Sequence, residues 1–129
     1  MIEKSIFDML SNNVSVSALV SDKIYPMVLP QNFAMPAIVY RNNGIEKRSN
    51  YDTTSEAFTQ TNLTIDAIAD TYTQVKAVSQ AIFDALHNFR GTQSGNVIYS
   101  IEQDSYLELY DDGLEAYRSS RIFLINHVD

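Results

Sequence analysis

The stretch FTQTNLTIDAIADTYTQVKAVSQAIFDALHNFRG, residues 58–91, changes its hydrophobic period halfway along, and this change decides the fold class. In residues 58–69 apolar and polar side chains alternate, which is typical of a strand with one buried face and one wetter face. From residue 71 onward apolar side chains recur every three or four positions, which is typical of an amphipathic helix. We therefore predict a strand over 58–69 and a long helix over 71–91.

The ends of this helix carry recognisable signals. Thr71 and Gln74 match a capping box, and Gly91 stands where a glycine cap is expected. Arg90 suits the last turn, because a cation stabilises the negative end of the helix dipole. We expect the apolar stripe of the helix to pack on strand residues and form the core. The stripe is Val75, Val78, Ile82, Leu86 and Phe89, and its expected partners are Ile38, Leu63, Ile65, Phe123 and Ile125.

Two short helices are predicted before the first strand. Residues 2–10 place Ile2, Ile6 and Leu10 at helical spacing. After the polar break at 11–13, the segment VSVSALVSD (14–22) favours a second helix, although its Val-Ser alternation also fits a strand.

All three prolines of the chain, Pro26, Pro30 and Pro36, lie close together. Proline lacks the N–H that a central strand needs, so KIYP is predicted to be a short strand that ends at Pro26. Residues 27–36 are predicted to form a rigid connector, because proline also pushes the residue before it toward extended geometry. A strand over 37–41 and a polar loop or hairpin tip over 42–57 follow.

The C-terminal third is predicted to form two strands. The first covers 96–110, with Val97, Tyr99 and Ile101 on one face, and the second covers 115–128, after a turn at Asp111-Asp112-Gly113. Runs of adjacent strands joined by turns indicate an antiparallel sheet. The predicted fold class is α+β: a mostly antiparallel β-sheet with one long helix and short N-terminal helices packed on one face, in a single domain over residues 1–129.

Composition excludes several classes of protein. The chain has 129 residues and no cysteine, which excludes disulfides, thiolate zinc sites and a cysteine nucleophile. It has no apolar run of about 18 residues, so no membrane span is expected, and its N-terminus lacks a signal-peptide pattern. The formal net charge of −7 disfavours binding DNA phosphates through a basic face.

Motifs that carry chemistry are absent from the sequence. His87 and His127 do not form the paired spacing of a zinc protease, and no serine lies in a nucleophile elbow. The four glycines do not build a phosphate-binding loop. Glu102, Asp104 and Glu108 are expected to share one strand face, as an exposed acidic surface rather than a catalytic pair. We therefore expect no catalytic residue, no cofactor and no metal site.

Four segments, read in order, resemble the phage tail-completion or tail-to-head joining family. They are ALVSDKIYP (18–26), LPQNFAMPAIVY (29–40), LTIDAIADTYTQVKAVSQAIFDAL (63–86) and YRSSRIFLI (117–125). Ser21 stands where a glycine is common in the family.

The resemblance implies a structural virion protein of the tail neck, made in the host cytoplasm. Members are expected to form a ring, usually of six copies, at the head-proximal end of the tail. The implied partners are other copies of the chain, the tail tube protein and the head connector or adaptor protein. The resemblance also implies that genome DNA passes through the bore without specific binding, and no membrane partner is expected.

A ring built by rotation needs two different surfaces on each subunit that fit each other. One candidate surface is the proline connector with the loop that follows it, and the other is the strand edge near the C-terminal tyrosines. The candidate interface residues are Pro26, Pro30, Pro36, Glu46, Lys47, Arg48, Tyr51, Tyr106, Tyr110 and Tyr117.

Two other functions stay open at the level of sequence. One is a small non-catalytic protein-binding module that acts as a monomer or dimer. The other is an enzyme of unrecognised type, which requires a pocket with convergent polar groups. For the tyrosines, a role within strands or the core is an alternative to a role at an interface.

Overall fold

The computed structural model describes residues 1–48 and 58–128 of the chain. Within these residues it contains three helices and one six-stranded sheet, so the fold is α+β, as predicted. The helices are α1 (Ile2–Ser11), α2 (Val14–Val20) and α3 (Tyr72–Leu86). The strands are β1 (Ile24–Pro26), β2 (Ala37–Arg48), β3 (Phe58–Ala69), β4 (Gly91–Gln93), β5 (Asn96–Asp111) and β6 (Ala116–Val128).

The sheet has the strand order β1-β2-β3-β6-β5-β4. Only the β1–β2 pair is parallel among the described strands, so the sheet is mostly antiparallel, as predicted. The helical interpretation of residues 14–20 is confirmed, because Asn13 caps α2 by accepting a hydrogen bond from the Val16 N–H at 3.1 Å. No helix in the described part of the chain is long and apolar enough to cross a membrane.

The main hydrophobic core joins the apolar stripe of α3 to the sheet. Val75, Val78, Ile82 and Leu86 are each no more than 1% exposed, and they lie in one cluster with all five predicted strand partners. Phe89 is only partly buried and packs against this cluster. Apolar residues of α1 and α2 complete it: Ile2, Ile6, Leu10, Val16 and Val20.

The predicted C-terminal end of the long helix is wrong. Helix α3 begins as expected, with Thr71 accepting from the Gln74 N–H at 3.2 Å, but it is 15 residues long and ends at Leu86. The chain then turns back to the sheet, where the Asn88 N–H donates to the Ile101 carbonyl at 3.0 Å. Gly91 therefore opens β4 instead of capping the helix. Arg90 lies outside the last helical turn, so it does not complement the dipole there.

Strand β2 is longer than predicted. It continues to Arg48 along the antiparallel partner β3, past a bulge between Asn42 and Gly44. Residues 42–48 are therefore strand and not loop. These residues are polar because this half of β2 lies beyond the apolar core, and their composition therefore does not indicate a strand. Here β2 is held by its backbone hydrogen bonds to β3 and by the Asn43 side chain, which donates to Asn62 at 3.0 Å. The rest of the predicted loop, residues 49–57, lies outside the described residues.

Strand β3 is buried on both faces, which contradicts the predicted wetter face. Thr64 is 3% exposed, Asp66 2% and Ile68 0%. The cause is a second apolar cluster, in which Ile68 packs with Val39 and Ala116. Side chains from the proline connector and from the β5–β6 turn cover it: Leu29, Phe33, Met35 and Leu114. The connector therefore closes the second face of the sheet.

Strand β5 does not present the predicted face. The prediction placed Val97, Tyr99 and Ile101 together, but Val97 and Tyr99 are 40% and 45% exposed, whereas Ile98 and Ile101 are buried. A shift in the pairing with β6 between Ile98 and Ser100 inserts one extra residue. Because side chains alternate every second residue, one extra residue exchanges the two faces of the strand.

The main core makes a direct prediction about stability. Leu86→Ala is expected to lower the free energy of unfolding by about 2–5 kcal/mol, because it leaves a cavity in a fully buried cluster. Thr73→Ala, on the exposed side of α3, is the control and is expected to change it by about 0.5 kcal/mol or less. Chemical denaturation of the three proteins measures both effects. Equal stabilities would show that Leu86 does not anchor the helix to the sheet.

Candidate interaction surfaces

Two long strand edges of the sheet have no neighbouring strand in the described part of the chain. Strand β1 pairs only with Ile38, Val39 and Tyr40, so residues 41–48 of β2 extend past it. Strand β4 pairs only with residues 96–98 of β5, and Asn88 adds one bond to Ile101. We name residues 41–48 the β2 edge and residues 102–111 the β5 edge. The two edges lie at opposite lateral ends of the sheet, because β3 and β6 lie between β2 and β5.

The predicted interface tyrosines of the C-terminal third come together at the β5 edge. The ring centroids of Tyr110 and Tyr117 are 5.2 Å apart, and those of Tyr72 and Tyr117 are 5.9 Å apart. Tyr106 lies along the same strand face and donates a hydrogen bond to Glu108 at 2.8 Å. Helix α3 supplies Tyr72 to this group, which we call the tyrosine cluster: Tyr72, Tyr106, Tyr110 and Tyr117.

Glu108 is the electrostatic centre of the tyrosine cluster. It accepts hydrogen bonds from Tyr106 and, at 3.0 Å, from Tyr72, and its carboxylate lies 3.1 Å from the Lys76 ammonium. The Tyr106 hydrogen bond, followed by those from Lys76 and Tyr72, holds the pKa of Glu108 below its ordinary value. The same contacts raise the pKa of Lys76, chiefly through Glu108. Glu108 and Lys76 therefore both stay ionised at neutral pH and remain paired.

Arg121 packs against the tyrosine cluster on the side of α3 and β6. Its Nε donates to the Ser79 hydroxyl at 2.7 Å, and its guanidinium lies 4.4 Å from the Tyr106 ring centroid and 5.0 Å from that of Phe83. Gln103 accepts a further hydrogen bond from it. Burial lowers the pKa of Arg121 from its ordinary value. Helix α3 and strands β5 and β6 are thus linked directly beneath the aromatic rings.

The proline connector forms one wall of an open groove. Met27 and Val28 are 65% and 72% exposed, although both side chains are apolar. With Leu114 of the β5–β6 turn they line a cavity of about 440 Å³. Apolar side chains exposed next to each other in this way are typical of a surface that another protein covers.

An ion pair between the buried Asp66 and Arg118 lies beside this groove. Asp66 of β3 accepts hydrogen bonds from Arg118 of β6 at 2.8 and 3.0 Å, and Arg41 of β2 lies 3.5 Å away. Arg118 also reaches Asp111, at 3.6 Å. The Asp66 carboxylate therefore joins β2, β3 and β6, and Arg118 extends this network to Asp111 at the end of β5. No sequence pattern marks this ion pair.

The other predicted interface residues are dispersed. Pro26 ends β1, Pro30 lies within the connector and Pro36 directly precedes β2. The segment Glu46-Lys47-Arg48 belongs to the β2 edge, and Tyr51 lies outside the described residues. The connector lines the same groove as the β5–β6 turn. The first part of the predicted loop, residues 42–48, belongs to the β2 edge, which lies across the sheet from the β5 edge.

The acidic residues of β5 do not share one face, which corrects the sequence-based expectation. Glu102 pairs with Leu124 and Glu108 with Ser119, positions on opposite faces of β6. The cause is the second register shift in β5, between Gln103 and Ser105. No group of three or more metal-binding side chains occurs among residues 1–48 and 58–128.

The two histidines have structural surroundings. The His87 ring stacks on Phe83 with centroids 4.4 Å apart, at the C-terminal end of α3. His127 is 1% exposed, and its Nε2 lies 2.8 Å from the Thr61 hydroxyl. Both rings are therefore held by packing or hydrogen bonding within the fold.

The tyrosine cluster predicts a pH response at Glu108. Its titration midpoint, followed by NMR of the side-chain carboxyl, is expected below the ordinary 4.5. Because the folded pKa is lowered, the stabilisation is present above the ordinary value and is lost as the pH falls through the folded value. Tyr106→Phe removes the largest cause and is expected to raise the midpoint.

The control for this titration is Tyr110→Phe, which keeps the ring contact with Tyr117 and leaves the hydrogen bonds to Glu108 in place. It is expected to leave the Glu108 midpoint unchanged. A midpoint that Tyr106→Phe does not move would show that the Tyr106 hydroxyl does not bind Glu108.

Comparisons with known proteins give a family and a fold. The family model described as tail completion protein gp17 matches residues 4–122. A chain from the solved structure titled "Virion of native gene transfer agent (GTA) particle" is similar, with a TM-score of 0.83 and 17% identity. The match covers 98% of this chain and 93% of that one. No curated protein matches the chain.

At this identity the structural match shows a shared fold, whereas the family match spans almost the entire chain. The resemblance drawn from the four sequence segments is confirmed, and so is the expectation of a structural protein rather than an enzyme. This chain belongs to the tail completion protein gp17 family and is a virion-associated structural component of a phage tail.

Proposed function

We propose that this chain forms a closed ring, usually of six copies, at the head-proximal end of the tail. The ring caps the tail tube, meets the head connector or adaptor protein in the neck region, and lets genome DNA pass through its bore. Each subunit is a single domain, made in the host cytoplasm before assembly. Membership of the tail completion family supports this proposal.

The observation that carries the proposal is the pair of different open edges on opposite sides of one sheet. A surface that meets a copy of itself closes a dimer, whereas two unlike surfaces that fit each other build a ring when the rotation between copies closes. The β2 edge carries Glu46, Lys47 and Arg48, and the β5 edge carries Tyr106 and Tyr110. We propose that these residues, with Tyr51 and Tyr117, lie at or beside the contact between subunits.

The three prolines have a role separate from that of the strand edges. We propose that Pro26, Pro30 and Pro36 hold the connector over the second apolar cluster at low cost in chain entropy. The connector then presents Met27 and Val28 in the groove beside the β5–β6 turn. This apolar groove suits contact with the tail tube protein or the head connector, which are the partners outside the ring.

The charge of the chain suits a conduit for DNA. With a formal net charge of −7 on each copy, a ring repels phosphates and gains little from counterion release. DNA therefore passes without being held, and this function needs no cofactor, metal or catalytic residue.

Particles that lack the protein test this function. We expect filled heads and tails that fail to join, or tails of uncontrolled length, in electron micrographs. Supplying the unaltered protein from a second gene is the control and should restore joined, infectious particles. Normal assembly without the protein would contradict the architectural role and favour a small protein-binding module that acts as a monomer or dimer.

A charge exchange tests the contribution of the β2 edge. Glu46→Lys combined with Arg48→Glu keeps the net charge and should block the joining of tails to heads, because it reverses the charge pattern that a neighbouring subunit meets. The circular dichroism spectrum of the purified variant should stay unchanged. The matched control exchanges the ion pair of α1, in which Lys4 is exposed and Asp8 partly exposed, by Lys4→Glu with Asp8→Lys, and it should join normally. Equal joining by both variants would remove the side chains of Glu46 and Arg48 from the contact.

A further inference from the structure

We infer that neighbouring copies join by strand pairing, with the β2 edge of one copy hydrogen-bonded in antiparallel fashion to the β5 edge of the next. The inference rests on the ring proposed above and specifies how its subunits bind. The partner at each open edge is then a second copy of this chain, and the sheets of all copies form one continuous sheet around the bore.

The direction of the strands fits this arrangement. The long strands β2, β3, β6 and β5 are adjacent and each pair is antiparallel, so β2 and β5 run in opposite directions. Traced through β3 and β6, residues 41–47 of β2 lie level with residues 98–105 of β5. The two open edges therefore meet when neighbouring copies are staggered by about six residues, which tilts the strands relative to the ring axis as in closed barrels. With this tilt, β5 of one copy meets β2 of the next in antiparallel fashion. The alternation continues from copy to copy without a break.

The charges of the two edges select unlike over like pairing. Arg41, Glu108 and Asp111 are ion-paired within the subunit and are left out of the count. The remaining charged residues of 41–48 are Glu46, Lys47 and Arg48, a formal net charge of +1, and those of 102–111 are Glu102 and Asp104, a formal net charge of −2. Pairing β5 with β5 or β2 with β2 brings like charges together, which is destabilising. Pairing β2 with β5 brings opposite charges together, so the edges favour a ring over a two-fold dimer.

The orientation of the backbone groups on β5 follows from one hydrogen bond. The carbonyl of Ile101, whose partner on β6 is Ile125, accepts from Asn88 and therefore points away from β6. In an antiparallel ladder this orientation recurs at every second pair. Counted along β6 from Ile125, the pairs with this orientation include Tyr106, Glu108 and Tyr110. Their N–H and C=O groups face the open edge, whereas those of the intervening Leu107 and Leu109 face β6.

An unpaired edge of this length is a liability for a soluble protein unless another strand covers it. Both edges are free of proline, which would remove a donor from the ladder. Each contains a bulge, between Asn42 and Gly44 and between Gln103 and Ser105. Bulges increase the local twist, and twist is needed for a sheet that closes on itself.

The dimensions are compatible with DNA passage. Four long strands from each of six copies make a closed sheet of about 24 strands, which at about 4.8 Å per strand has a diameter of about 37 Å before strand tilt widens it. The lumen is then wide enough for a DNA double helix.

Substitution of Glu108 by proline tests the pairing. Glu108→Pro removes one N–H from the open edge and leaves the ladder to β6 intact, whereas Glu108→Ala removes the same side-chain contacts and keeps that N–H. We expect the proline variant to give at least tenfold fewer joined particles than the alanine variant. The unfolding temperatures of the two purified variants serve as the check on folding. Equal yields from the two variants would overturn backbone pairing while leaving the ring itself standing.

Amide hydrogen exchange tests the same contact without any substitution. In isolated protein the amides of Leu107 and Leu109 should be protected and those of Tyr106, Glu108 and Tyr110 should exchange freely. In assembled particles the second group should slow at least tenfold. Equal exchange of that group in both states, in particles that show a ring of this chain, would overturn strand pairing. Particles without any such ring would instead overturn the proposed function.

Discussion

Burial of β3 on both faces is the constraint on which the rest of the structure depends. On one face Leu63, Ile65 and Ala67 pack against the helices, and on the other Ile68 packs beneath the connector. Strand β3 also lies in the interior of the sheet, between β2 and β6. Because its second face is covered by the connector, the connector is part of the fold rather than a loose link.

The unpaired edges follow from this centre. Strands β2 and β5 extend well past the small strands β1 and β4, which contribute only three residues each. The apolar core needs no further strand, and we propose that the remaining length of β2 and β5 serves contacts outside the subunit. The interior of the protein then determines its stability, whereas the polar and tyrosine-rich strand extensions are proposed to determine its assembly.

Much of the fold was predictable from the sequence, because long periodic segments specify their own structure. The stripe of α3 and its strand partners are examples, and Asn13 explains why residues 14–20 are a helix. The second face of β3 was missed since Leu29, Phe33 and Met35 follow no period, and only tertiary contact reveals their role. The faces of β5 were wrong beyond Tyr99 because bulges leave no sequence signal. The tyrosine cluster was anticipated only in part, because Tyr72 joins it from the helix.

Cryo-electron microscopy of assembled particles tests the central claim most directly, since it shows where the chain lies and how many copies surround the axis. We expect a closed ring of this chain between the last layer of the tail tube and the head connector, with an open bore along the axis. Density for the chain at any other position, or as isolated copies that do not encircle the axis, would contradict it.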